Sequence, residues 1–145
     1  MIDSRTAPYA AFVMRLALGI MIVTHGLTKV FVFTPAGTSV FFESVGLPGF
    51  LAYPVMAFEV VGFLMLVLGV YARWVATVAV VQLLVAATVY FVNGGTFANV
   101  NGGWEYPLYL SVTSLVVALL GDGALAAKAS NRAFPNEGSK TTSAL

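Results

Sequence analysis

The chain has 145 residues, 59% of them apolar and only 9% charged, with a mean hydropathy of +0.92. Soluble domains carry roughly 45–50% apolar and about 25% charged residues, so a water-covered surface is excluded and a lipid bilayer becomes the expected solvent. Seven Lys and Arg balance six Asp and Glu with no basic run, which excludes nucleic acid as a partner. The absence of cysteine excludes disulfides, thiol relays and thiolate metal sites, and a lone histidine excludes a multi-histidine cluster, so no metal is expected.

Residues 1–8 read as a short cytoplasmic segment ahead of the first apolar run. Four such runs follow, at about 9–33, 50–70, 74–92 and 106–120, each near the ~20 residues that cross a hydrocarbon core. The first is longer than the apolar core of a signal peptide and lacks a small-residue cleavage site, so it reads as a retained span. Val40, Phe41, Phe42 and Val45 surround Glu43 and are stopped by Gly46 and Pro48, the pattern of a short interfacial helix lying over the membrane as a lid. The three residues 71–73 leave spans two and three no choice but to run antiparallel as neighbours. The triplets Asn93-Gly94-Gly95 and Asn101-Gly102-Gly103 read as turns rather than a ligand cradle. The prediction is one all-α domain, an integral membrane four-helix bundle over residues 9–126, with a cytoplasmic tail over 127–145 that is disordered from about residue 130.

Orientation follows the basic residues. Arg5, Arg73, Lys128, Arg132 and Lys140 share one side, while loops 34–49 and 93–105 contain neither Lys nor Arg, which puts both termini in the cytoplasm. Trp74, Tyr90, Trp104, Tyr106 and Tyr109 fit aromatic belts at the two interfaces, or bundle packing.

An ionisable side chain inside a span costs ~2.5–3.5 kcal/mol on insertion scales and needs a partner or a wet cavity. Arg15, His25, Lys29 and Glu59 therefore carry most of the information. Helical periodicity gathers Arg15, Gly19, Gly26 and Lys29 on one face of span one, and Glu59, Gly62 and Gly69 on one face of span two. The glycines are candidate helix-packing positions. Measured from the cytoplasmic ends, Arg15 lies about 9 Å deep, Gln82 about 13 Å, and Glu59 and Tyr109 about 16 Å, forming an inner layer in which Arg15 and Glu59 are the expected partners. His25, Glu105 and Lys29 form an outer layer at about 22–30 Å. The Arg15–Glu59 pair reads either as a register-fixing ion pair or as the lining of a ligand cavity. Lys29 reads as snorkelling to the interface or as part of a site. His25 and Glu59 are the candidates for proton transfer; Arg15, Lys29, Glu105, Gln82 and Tyr109 are the candidates for ligand binding.

Arg15-x-x-x-Gly19, His25-Gly26-x-x-Lys29, Gly46-Leu47-Pro48, Glu59-x-x-Gly62, Gly69-x-x-x-Arg73, Gly102-Gly103-x-Glu105 and Gly121-Asp122-Gly123 occur in this order, and together they resemble the DoxX family of small bacterial membrane proteins. The resemblance implies four spans in the bacterial plasma membrane and a link to a thiosulfate:quinone oxidoreductase and to membrane redox-defence complexes. Two classes of function stand against each other. One is a quinone-interacting subunit of a membrane oxidoreductase or redox-defence complex, with no covalently bound cofactor, drawing electrons from a partner protein. The other is a non-enzymatic binder of lipid or a small amphiphile, or a membrane scaffold. A transporter protomer is a third reading that would need a homo-oligomer, because four spans are few and none is broken.

Overall fold

The computed structural model describes residues 3–130, so residues 131–145 of the expected tail lie outside it, as do residues 1–2. Five helices make up the body. α1 spans Ala7–Phe31, with Pro8 in its first turn where the missing amide proton costs nothing. α2 spans Pro35–Ser44 and realises the expected interfacial helix with one more turn at its start than the apolar pattern marked. α3 is a continuous run, Gly49–Leu68, that ends on Gly69 at φ +69°. α4 covers Ala72–Asn93 and α5 covers Glu105–Leu120. α1, α3 and α4 are long and apolar enough to cross a membrane; α5, at 16 residues and ~24 Å, is the short member of the bundle.

The core is built where small residues let helices approach. Ala76, Ala79 and Leu83 of α4 pack with Leu110 and Val117 of α5, and Ser111 of α5 donates to the Val80 carbonyl at 3.0 Å, the small-residue and hydroxyl contact typical of helices in lipid. Leu18 and Ile22 of α1 and Phe63 and Leu66 of α3 complete this core. Ile20, Leu64, Val78 and Leu119 point outward and stay exposed, which gives the bundle an apolar coat suited to acyl chains.

Glycine sets the register of α1 on α3. Gly19 lies against Phe63 and Val67, and Gly26 against Glu59 and Val60, so the two helices are antiparallel and Arg15 falls level with the last turn of α3. That register corrects the expected Arg15–Glu59 pair. Depth counted from the span ends sets both helices at one level, whereas α1 begins well beyond the end of α3 and is met there by the chain after α5. Ala124 donates to the Pro8 carbonyl at 2.8 Å, Ala127 to Leu68 at 3.1 Å and Lys128 to Gly69 at 3.1 Å, while Tyr71 donates to Lys128 at 2.9 Å. The body therefore continues two residues past the expected boundary at 126, through Ala127 and Lys128.

Arg15 sits inside this junction with no exposed surface. Its Nε donates to the Asp122 carbonyl at 2.8 Å, one terminal nitrogen to Leu66 at 3.0 Å and Val67 at 2.7 Å, and the other to Ala124 at 2.9 Å. Four of the five guanidinium N–H groups are thus committed to carbonyls that the end of α3 and the turn after α5 would leave unpaired. The negative end of a helix dipole substitutes for a carboxylate. Asp122 turns its own side chain elsewhere, accepting from Ser130 at 2.7 Å and 2.9 Å and from the Arg73 amide at the start of α4 at 3.4 Å. Arg15 is a clamp between helix ends, and its assignment as a ligand-binding residue is withdrawn.

Candidate functional site

Opposite the clamp, at the end covered by α2, the polar residues of three helices converge. Lys29, in the last turn of α1, places Nζ 2.5 Å and 2.7 Å from the two carboxylate oxygens of Glu59 on α3. Gln82 of α4 donates to Glu59 Oε1 at 2.9 Å. The carboxylate is only 7% exposed and the lysine 28%, so Lys29 does not snorkel outward but turns inward to its partner. In lipid an unpaired carboxylate at this depth would be costly, and the pair with Gln82 satisfies both oxygens.

Two local features bring Glu59 here. Phe58–Gly62 is π-helical, between α-helical turns Ala52–Ala57 and Phe63–Leu68. Such a widened turn shifts the side chains that follow it and occurs often at functional sites. Gly26 is the second feature, since a side chain there would collide with the Glu59 backbone and hold α3 away from Lys29.

Two cavities meet at this cluster. A groove of about 710 Å³ runs between α3 and α4, walled by hydrocarbon from Val55, Phe58, Val81 and Val85 and roofed by Phe41 and Phe42 of α2. Its polar end is Lys29, Glu59 and Gln82. α2 is held in place as a roof by its Thr34 cap, which accepts from the Gly37 amide at 3.2 Å, and by the Thr38 hydroxyl, which donates to the Lys29 carbonyl at 3.3 Å. On the other side of the ion pair lies a chamber of about 420 Å³ bounded by α1, α4, α5 and the loop before α5. His25 Nε2 and the Tyr106 hydroxyl share a hydrogen bond of 2.9 Å on its wall. Lys29, Glu59, Ala86 and Tyr90 face both spaces.

The expected layers are thus rearranged. Lys29, Glu59, Gln82 and His25 come together at one end, and Arg15 is left alone at the other. Tyr109 is withdrawn as a ligand residue because it is 67% exposed on the outer surface of α5, one residue before the buried Leu110. Glu105 is withdrawn as well: it lies exposed at the start of α5 and accepts from the Phe97 amide at 2.8 Å, so its work is to shape the loop. Gly62 is covered by the Phe58 ring of its own helix, and Gly69 is the left-handed end of α3, where it meets the Arg15 guanidinium of α1. The residue reading missed Tyr106, Tyr90 and Ala86 as site residues. By sequence the two tyrosines fit an aromatic belt or bundle packing equally, and nothing local distinguishes either from a tyrosine that meets a histidine 81 residues away.

A family model described as DoxX matches residues 10–93, a span that contains His25, Lys29, Glu59 and Gln82 but not Tyr106 or Asp122. A protein of Bacillus subtilis (strain 168) named "Putative oxidoreductase CatD" is 33% identical over 113 residues, covering 78% of this chain and 80% of that protein. No solved structure matches the chain.

Proposed function

Since the chain belongs to the DoxX family of membrane proteins, we propose that it is the quinone-interacting subunit of a membrane oxidoreductase, holding a quinone headgroup at Lys29, Glu59 and Gln82 with the tail in the groove. The observation that carries this reading is the groove itself: a long hydrocarbon-walled space that ends on one compact polar cluster. That is the shape of a site for an amphiphile with a small head and an apolar tail.

Charge narrows the headgroup. The cluster is already neutral, one ammonium on one carboxylate, so an anionic head would enter without a free counter-charge. A neutral head finds donors and acceptors together. Lys29 has three N–H groups and Gln82 two, more than Glu59 consumes, and the Gln82 carbonyl and Glu59 oxygens accept. Carbonyl oxygens of an oxidised ring and hydroxyls of a reduced one are both served. Glu59 and His25 are the groups suited to exchange protons with such a ring, and electrons would arrive from a partner protein. The name of the B. subtilis relative supports the redox assignment. Arg5, Arg73 and Lys128 lie with the Arg15 clamp, which supports placing that end in the cytoplasm and the α2 end outside.

The test is equilibrium binding of a short-tailed benzoquinone to the protein in nanodiscs, with oleate, an amphiphile with an anionic head, as the competitor. Saturable binding that weakens at least tenfold in Gln82→Leu and resists oleate is expected. Equal displacement by oleate would make the site a general lipid groove, and unchanged affinity in Gln82→Leu and Glu59→Gln would move the quinone elsewhere.

A further inference from the structure

The chamber behind the ion pair is unlike the groove. Its wall carries His25, Asn101 and Tyr106, which the groove lacks, and it is bordered toward the loop end by Gly102 and Gly103 rather than by acyl-facing valines. The loop over it is built, not loose. Trp104 and Glu105 donate to the Gly94 and Gly95 carbonyls at 3.2 Å and 3.0 Å, Asn93 donates to the Asn101 carbonyl at 3.1 Å, and Asn99 donates to the Asn93 carbonyl at 2.8 Å. This scaffold carries Asn101 and Phe97, both exposed, to the chamber rim. His25, Asn101 and Tyr106 supply polar partners of the kind that hold ordered water.

We propose that this chamber is the aqueous entrance to the Lys29–Glu59–Gln82 cluster, separate from the lipid-side entrance along the groove. The amphiphile reaches the ion pair from the bilayer, between α3 and α4. Water, and with it protons, reaches the same pair from the loop end, past the His25–Tyr106 hydrogen bond that lies across the way in. Lys29 of α1, Glu59 of α3, Tyr90 of α4 and Tyr106 of α5 are the ionisable groups that surround His25 there. The ion pair is the wall between the two, which is why Ala86 and Tyr90 border both. The inference extends the quinone reading by naming the proton side of that site, yet it concerns water access alone and stands whether or not a quinone binds.

The chain has no cysteine, so single cysteines can report access directly. Leu83→Cys and Leu110→Cys face the chamber alone, whereas Val81→Cys faces only the groove. In nanodiscs, which expose both faces, a charged membrane-impermeant methanethiosulfonate should modify the chamber cysteines at least tenfold faster than Val81→Cys. A lipid-soluble maleimide should modify all three, which establishes that each thiol is reactive, and an unchanged far-UV circular dichroism spectrum establishes that each variant is folded. Tyr106→Phe, lacking the hydroxyl that bonds His25, should raise the rate at Leu83→Cys severalfold. Modification of the chamber cysteines no faster than Val81→Cys would overturn the proposal, because it would make the chamber as dry as the groove. Quinone binding is not read in this assay, so its outcome and that of the binding test are independent.

Discussion

Replacing Arg15 by Met removes the clamp and leaves its shape largely filled. Four charge-assisted hydrogen bonds are lost, each worth ~1.5 kcal/mol or more, and the carbonyls of Leu66, Val67, Asp122 and Ala124 lose their donor. Against this stands the ~2.5–3.5 kcal/mol that a guanidinium costs inside a span and methionine does not. The net loss is about 3 kcal/mol, close to a hundredfold in the unfolding equilibrium. Arg15→Lys keeps the charge but has three donors and no planar fork, so it should recover about half of that. Reversible unfolding in lipid–detergent mixtures with increasing sodium dodecyl sulfate, followed by far-UV circular dichroism, measures both. The clamp and the ion pair should also act independently. Arg15 lies 14 residues and ~21 Å along α1 from Lys29, the partner of Glu59, so Arg15→Met and Glu59→Gln should be additive within about 0.5 kcal/mol. A strong coupling between them, or an Arg15→Met variant as stable as the parent, would refute the clamp.

Lys29→Met should destabilise by about 2 kcal/mol, less than a fully buried pair because the ammonium is 28% exposed, and the double variant Lys29→Met with Glu59→Met should be more stable than Lys29→Met alone; additive losses would show the pair is not coupled. Gly26→Ala should cost about 1–3 kcal/mol and weaken quinone binding with it, since the added methyl displaces α3 at Glu59. Gly95→Ala, whose methyl would meet the Trp104 ring at ordinary contact distance, should stay within about 0.5 kcal/mol in the same unfolding assay.

Much of the molecule is legible along the chain. Four apolar runs, the three-residue turn at 71–73 and the Gly-Pro stop after α2 follow from local chemistry, because a bilayer rewards each ~20-residue run by itself and a turn is decided within a few residues. The ionisable residues that matter were equally visible, since charge inside a span is conspicuous wherever it occurs. Their partners were not. Pairing depends on the vertical offset between helices, and that offset is set by where Gly19 and Gly26 allow α3 to approach and by the fold-back of residues 122–128, neither of which is a property of a single span. Without that offset Glu59 falls level with Arg15; the bundle gives it to Lys29 and Gln82. The π-helical turn at Phe58–Gly62 and the meeting of His25 with Tyr106 belong to the same class of fact. Sequence by itself determined the solvent, the spans and which side chains needed a reason to be there; only tertiary structure decided which charge answers which, because that is a question of distances between helices that local rules never measure.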